Sequence, residues 1–217
     1  MLIVAAALIL TQHRPKMGVT TWTGAQIIRK MKAAVRAASP LAGHLVTKAA
    51  DGQKTEFDFE IMHPGLFRGE MRFYNVRAEV HWNDAGFVNY SPGTNEYVKR
   101  RKPPFLKTSG DMDLAGLESL FGDDTYFIDI GASNKTKFEG RVAYSVAFTR
   151  ATRDDKILHG DLFIDPKTFF PLGFDQENKR LGGNDHSVYE KLMHVKRVKK
   201  DFDWTPPKGA RQIPASS

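Results

Sequence analysis

The segment Thr55-Glu56-Phe57-Asp58-Phe59-Glu60-Ile61 places an apolar residue at every second position from Phe57 and a carboxylate between them. A strand turns successive side chains to opposite faces, so this spelling fits a sheet with one apolar and one polar side. Further strands are predicted at 43–49, 66–73, 76–82, 86–90 and 94–99, then at 125–130, 141–150, 157–164, 170–175 and 186–198. Turn-forming pairs separate the early ones: Asp51-Gly52, Pro64-Gly65, Asn83-Asp84 and Pro92-Gly93. Such a succession reads as an antiparallel meander of about ten strands.

Helical spacing enters twice. Thr23 is placed to cap a helix reaching Ala38, in which Ile28, Met31 and Val35 share a side and Arg29, Lys30, Lys32 and Arg36 populate the other. A second helix is predicted over 111–121, begun by Asp111 or Asp113, carried by Leu114, Leu117, Leu120 and Phe121, and stopped by Gly122. The predicted class is therefore α+β, a large curved antiparallel sheet with helices over one face. The apolar run Met1–Leu10 is too short to span a bilayer and suits a signal-peptide core, which predicts export to the periplasm or beyond. Residues 1–21 are then leader and linker, 22–213 a single domain, and 214–217 a tail.

At 217 residues the chain can bury a continuous core without staples, and its lack of cysteine removes disulfides, thiolate zinc sites and cysteine nucleophiles. No phosphate-binding glycine loop, nucleophile elbow or helical zinc pair is spelled out, so no enzymatic activity and no cofactor are predicted. The seven histidines, His13, His44, His63, His81, His159, His186 and His194, show no metal-ligand spacing, and no metal site is assigned. Asp111, Asp113, Asp123 and Asp124 read as helix-capping charge. The net charge of +7 favours anionic membranes or acidic partners, but its densest run, Lys99–Lys102, is followed at once by Pro103-Pro104. Basic residues are otherwise scattered through strand-like segments, which argues against nucleic acid as a partner.

What stands out is apolar. Fifteen phenylalanines lie mostly within strands, more than a flat sheet under two helices can hide. In strand 141–148, Val142, Tyr144, Val146 and Phe148 line one side while Ala143, Ser145 and Ala147 leave room on the other. Two arrangements answer to this: an ordinary filled core, or an apolar cavity inside a curved sheet. Strand alternation selects Phe57, Phe59, Ile61, Leu66, Phe67, Val142, Tyr144, Val146, Phe148, Leu162 and Ile164 as its lining.

Three stretches, in order, resemble the LolA-like family of periplasmic lipoprotein carriers. Ile61-Met62-His63-Pro64-Gly65-Leu66-Phe67-Arg68 resembles the family's strand that ends in an arginine-proline turn. Phe87-Val88-Asn89-Tyr90-Ser91-Pro92, with Glu96-Tyr97-Val98, is similar to its aromatic strand closed by proline. Asp201-Phe202-Asp203-Trp204-Thr205-Pro206-Pro207-Lys208-Gly209 resembles its C-terminal Phe-x-Phe-x-Pro-Pro-x-Gly signature. A final strand is predicted there, ending at Pro206-Pro207, with Phe202 and Trp204 on one covered face.

The resemblance implies an incomplete β-barrel with a helical lid that holds acyl chains, with neither catalysis nor cofactor. Its implied partners are a lipid or an acylated lipoprotein and envelope membrane proteins, with the chain acting as a monomer. His63 stands where the family has the arginine tied to lid closure and release, and a histidine there would add pH sensitivity. Relatives on the same fold act as envelope sensors or interaction modules without transported cargo, so that function stays open beside transport. Burying acyl methylenes contributes about 0.8 kcal/mol each, so a 16-carbon chain fully enclosed would gain roughly 12 kcal/mol. A carrier must hold less tightly than that, and an interior that collapses onto its own lid when empty supplies the competition.

Overall fold

The computed structural model describes residues 22–62, 65–83, 86–100, 126–151 and 157–214. Thr23 caps α1 (Gly24–Ala38) as predicted: its hydroxyl accepts from the Gln26 backbone N–H at 3.2 Å, and the Gln26 side chain accepts from the Thr23 N–H at 2.8 Å. Ile27, Ile28, Met31 and Val35 form the buried stripe, one residue wider than the sequence reading. Ser39 is the C-cap, and Pro40 leads into β1 (Leu41–Lys48).

The strands follow as β2 (Lys54–Met62), β3 (Leu66–Phe73), β4 (Val76–Asn83), β5 (Gly86–Ser91), β6 (Glu96–Arg100), β7 (Tyr126–Phe138), β8 (Arg141–Ala151), β9 (Ile157–Ile164), β10 (Pro171–Asn178), β11 (Gly183–His194) and β12 (Arg211–Gln212). They make one sheet in the order β12-β6-β5-β4-β3-β2-β1-β11-β10-β9-β8-β7. Two meanders are thus joined where β1 pairs β11, with Leu41 opposite His194 and Lys48 opposite His186. The sheet curls strongly but does not close, so the fold class is the predicted α+β half-barrel with a helix as its lid. The predicted helix 111–121, with Asp111, Asp113, Asp123 and Asp124, lies outside the described residues, as do the apolar N-terminal run and His63.

Register assigns the faces. Leu45 opposes Phe57, Gly43 opposes Phe59 and Leu41 opposes Ile61, and all share the side on which α1 lies, the inner face. Gly43 is required there: a Cβ would stand 2.2 Å from Cζ of Phe59, whose ring lies across the glycine. Gly69 and Gly160 receive the rings of Phe57 and Phe148 in the same way.

The opposite, outer face carries Glu56, Asp58 and Glu60 and is not simply solvated. Arg72 reaches Asp58 at 2.6 Å and Glu70 at 2.8 Å, Arg77 reaches Glu70 at 2.7 Å, and His44 Nδ1 lies 2.7 Å from Asp58. Glu60 is held by Arg197, both nitrogens at 2.7 Å, and by Arg68. The paired guanidiniums, that of Arg197 first, hold the Glu60 carboxyl below the usual carboxylate range. Further along this face Phe138, Ala143, Phe163 and Leu172 form a second apolar cluster, so the small residues of β8 admit the packing of neighbouring rings.

The C-terminal stretch corrects the sequence reading. In place of the predicted closing strand over 201–209, a 3-10 turn, Lys199–Phe202, is followed by an extended segment lying across the outer face of β3–β6. Arg68 donates to the Asp201 carbonyl at 3.0 Å, Phe202 is 0% exposed, and the Trp204 ring lies 5.1 to 5.9 Å from those of Tyr97, His81 and Tyr90. Pro206 and Pro207 have no backbone donor to give a ladder, so pairing resumes only past them, where β12 runs parallel to β6. Phe202 and Trp204 do share one face, but that face is the strap's underside.

Candidate functional site

The inner face is one continuous apolar surface. Phe59, Phe67, Leu45, Tyr189, Phe174, Leu162, Ile164, Tyr144, Val146 and Phe148 cluster beneath Ile27, Ile28 and Met31 of α1. Phe57, Phe59 and Phe67 stack with centroids 5.8 to 6.4 Å apart, and Tyr189 meets Phe59 edge-on at 6.1 Å. Burial pushes the Tyr189 phenol well above its ordinary value, so it stays neutral among the rings. Beyond α1 the same face continues through Ile61, Val80 and Trp82, all half-buried, to Met71 at 39% and Val76 at 62% exposed.

Of the eleven residues selected from sequence, Phe57, Phe59, Ile61, Phe67, Tyr144, Val146, Phe148, Leu162 and Ile164 come together here. Leu66 does not: it opposes Met62, and alternation with Phe67 turns it to the outer face, where it is buried. Val142 follows the inner side of β8 but lies beyond the cluster, 43% exposed near the strand's start.

Sequence reasoning missed Leu192 and Tyr189. Three residues apart on β11, they would point to opposite faces of a regular strand. A β-bulge opposite His44 and Leu45 inserts Glu190 and brings both inward, Leu192 opposing Gly43 and Tyr189 opposing Leu45. It also missed Val80 and Trp82, whose alternation with Glu79 and His81 was a usable signal.

α1 is held by more than its apolar stripe. Ser133 donates to the Trp22 carbonyl at 2.6 Å, and the Lys30 ammonium stands 4.2 Å from the Trp22 ring and 5.0 Å from that of Phe169. Gly24 lies so close to β7 that a Cβ would come within 2.4 Å of the Gly131 carbonyl oxygen.

The outer face has a concavity of a different kind, a groove of about 440 Å³ lined by His44, Asp58, Glu60, Arg68, Glu70, Arg77, Glu79, His81 and Lys191 among others. Most of its charges meet a partner of opposite sign, Arg68 with Glu60, Arg77 with Glu70 and Glu79, and His44 with Asp58. Burial pushes the His81 imidazole below its ordinary value, and Glu79, with an oxygen 3.6 Å away, offsets this only in part. Among the described residues no group of three or more histidines or carboxylates could hold a metal ion, and no helix is long and apolar enough to cross a membrane.

The half-barrel is a known fold. An uncharacterized conserved protein from Thermus thermophilus superposes with a TM-score of 0.58 at 11% identity, over 88% of this chain and 98% of that one. More distant in shape are MucB in the Pseudomonas aeruginosa MucA/MucB complex and a putative outer membrane lipoprotein-sorting protein domain from Vibrio parahaemolyticus. The former gives a TM-score of 0.44 at 16% identity over 84% of this chain and 61% of that one. The latter gives 0.39 at 12% identity over 82% and 94%. No family model and no curated protein matches the sequence.

Proposed function

We propose that this chain is a non-enzymatic binding protein of the cell envelope that takes the acyl chain of a lipid or lipoprotein onto the inner face of its half-barrel. The observation that carries this reading is the continuity of the inner face. Its apolar row runs from beneath α1 through Val80 and buried Ala78 to Met71 and Val76, where coverage falls away. A chain lying along this row meets apolar side chains, and it competes with the stripe of α1 for the same rings. The resemblance in the β2–β3 hairpin, the β5–β6 hairpin and the C-terminal strap supports the same reading.

A second reading has one observation in its favour. Ile27 and Met31 are 0% and 1% exposed against the aromatic cluster, so part of the inner face is filled by the protein itself. An envelope sensor or interaction module without cargo would keep it so.

Titration with a fluorescent fatty acid separates the two. Ala78 is a small inward residue on β4, opposite Met71. In Ala78→Trp the indole excludes two to three methylenes, which at about 0.8 kcal/mol each weakens binding roughly ten- to fiftyfold. Thr149→Trp, on the other side of β8 from Phe148, leaves affinity unchanged. Equal loss in both, with folding intact by circular dichroism, removes the inner face from consideration.

A further inference from the structure

Trp82 Nε1 is buried on the inner face and has no hydrogen-bond acceptor among the described residues. Natural proteins leave few buried donors unpaired, and an indole N–H has only the donor role. Its surroundings offer no substitute: Phe67 opposes it on β3, and Phe87, opposite it on β5, meets its ring edge-on at 6.1 Å. The donor therefore sits at the end of an apolar row on β3 and β4, with Asn89 of β5 opposite Val80 at its edge. Val80 and Ala78 continue along the same side of β4 away from it.

We infer that Trp82 is the polar contact for the carbonyl oxygen of the bound acyl group, which rests on the acyl-binding reading above. With the carbonyl accepting from Nε1–H, the hydrocarbon runs along β4 over Val80 and Ala78, and the head end leaves at the Asn83 end of the strand. An ester and a free acid both present that oxygen. Arg100 opposes Phe87 from β6 in the same cross-strand row, so a carboxylate gains a salt-sensitive attraction to its guanidinium that an ester does not. The acyl carbonyl is the chemistry common to both.

The test uses full-length protein, ¹⁵N-labelled on its tryptophans, with methyl laurate, lauric acid and tridecane as probes and displacement of N-phenyl-1-naphthylamine as the measure of binding. There are three tryptophans, and the Trp82 indole resonance is the one lost in Trp82→Phe. Methyl laurate and lauric acid should each move it downfield, and tridecane should not. Trp82→Phe should weaken the carbonyl ligands about five- to tenfold and tridecane by less than twofold, and benzothienylalanine at position 82, which removes only the N–H, should reproduce this. A laurate preference that vanishes in high salt or in Arg100→Gln identifies the acid as the favoured source, a methyl laurate preference identifies the ester, and equal affinity means that the shared carbonyl alone is recognised. Displacement by all three ligands with an unmoved Trp82 resonance overturns the inference and leaves acyl binding standing. If neither the naphthylamine nor the fluorescent fatty acid binds, the acyl-binding reading fails, and this inference with it.

Discussion

Phe202→Ala lowers the stability of the protein by about 3–5 kcal/mol. The ring is fully buried between the strap and the outer face, with the Arg68 guanidinium 5.8 Å from its centroid. Its removal leaves a void that the strap cannot fill, because Arg68 and Asn83 hold the strap backbone by donating to the Asp201 and Phe202 carbonyls. Buried Val88 and Tyr90 face outward on β5 and gain water when the strap lifts. Urea unfolding checks this through the midpoint. A strap that detaches also lowers the m-value, since less surface is then newly exposed on unfolding. A loss of unfolding free energy below about 1 kcal/mol would mean that the strap is dispensable.

Gly24→Leu should destabilise by about 1–3 kcal/mol although leucine is the better helix former. Propensity and packing predict opposite signs here. The Cβ of any residue at 24 meets the Gly131 carbonyl oxygen at 2.4 Å, Ile130 at 3.0 Å and Val146 at 3.1 Å, and the first of these is backbone that no rotamer change relieves. α1 must move off β7, which uncovers the inner cluster. Binding of an apolar dye therefore rises in the same variant whose melting temperature falls. A stabilised variant with unchanged dye binding would show that α1 does not restrain the inner face.

The inner face was largely legible because its rule is local. Phe57, Phe59 and Ile61, with Glu56, Asp58 and Glu60 between them, follow the pleat, and any regular register leaves them on one side. The α1 stripe was legible for the same reason, with its capping box written in Thr23 and Gln26. What could not be read is where the period breaks. Tyr189 and Leu192 share a face only through the bulge at Glu190, which exists only against the partner strand β1. Leu66 was misplaced by the opposite error, an apolar neighbour of Phe67 taken as belonging to its face. The strap was legible in composition but not in form: Phe202, Trp204 and two prolines promised a covered, ladder-breaking segment, and only the outer-face partners Arg68, His81, Tyr90 and Tyr97 decide where it lies. Arg72 with Glu70, two positions apart on one strand, was within reach of the alternation, but Glu60 with Arg197 was not, because tertiary approach joins them across 137 positions.

The central claim, that acyl chains occupy the inner face, is tested most directly by photo-crosslinking with an acyl ester bearing a terminal diazirine, followed by peptide mapping. Adducts that saturate with probe, disappear with unlabelled methyl laurate and fall on the inner residues of β3 and β4 at the far end of the row from Trp82, such as Met71, Ala78 and Val76, are the predicted result. Adducts on outer-face residues such as His44 or Glu70, or labelling that neither saturates nor yields to competitor, would contradict it.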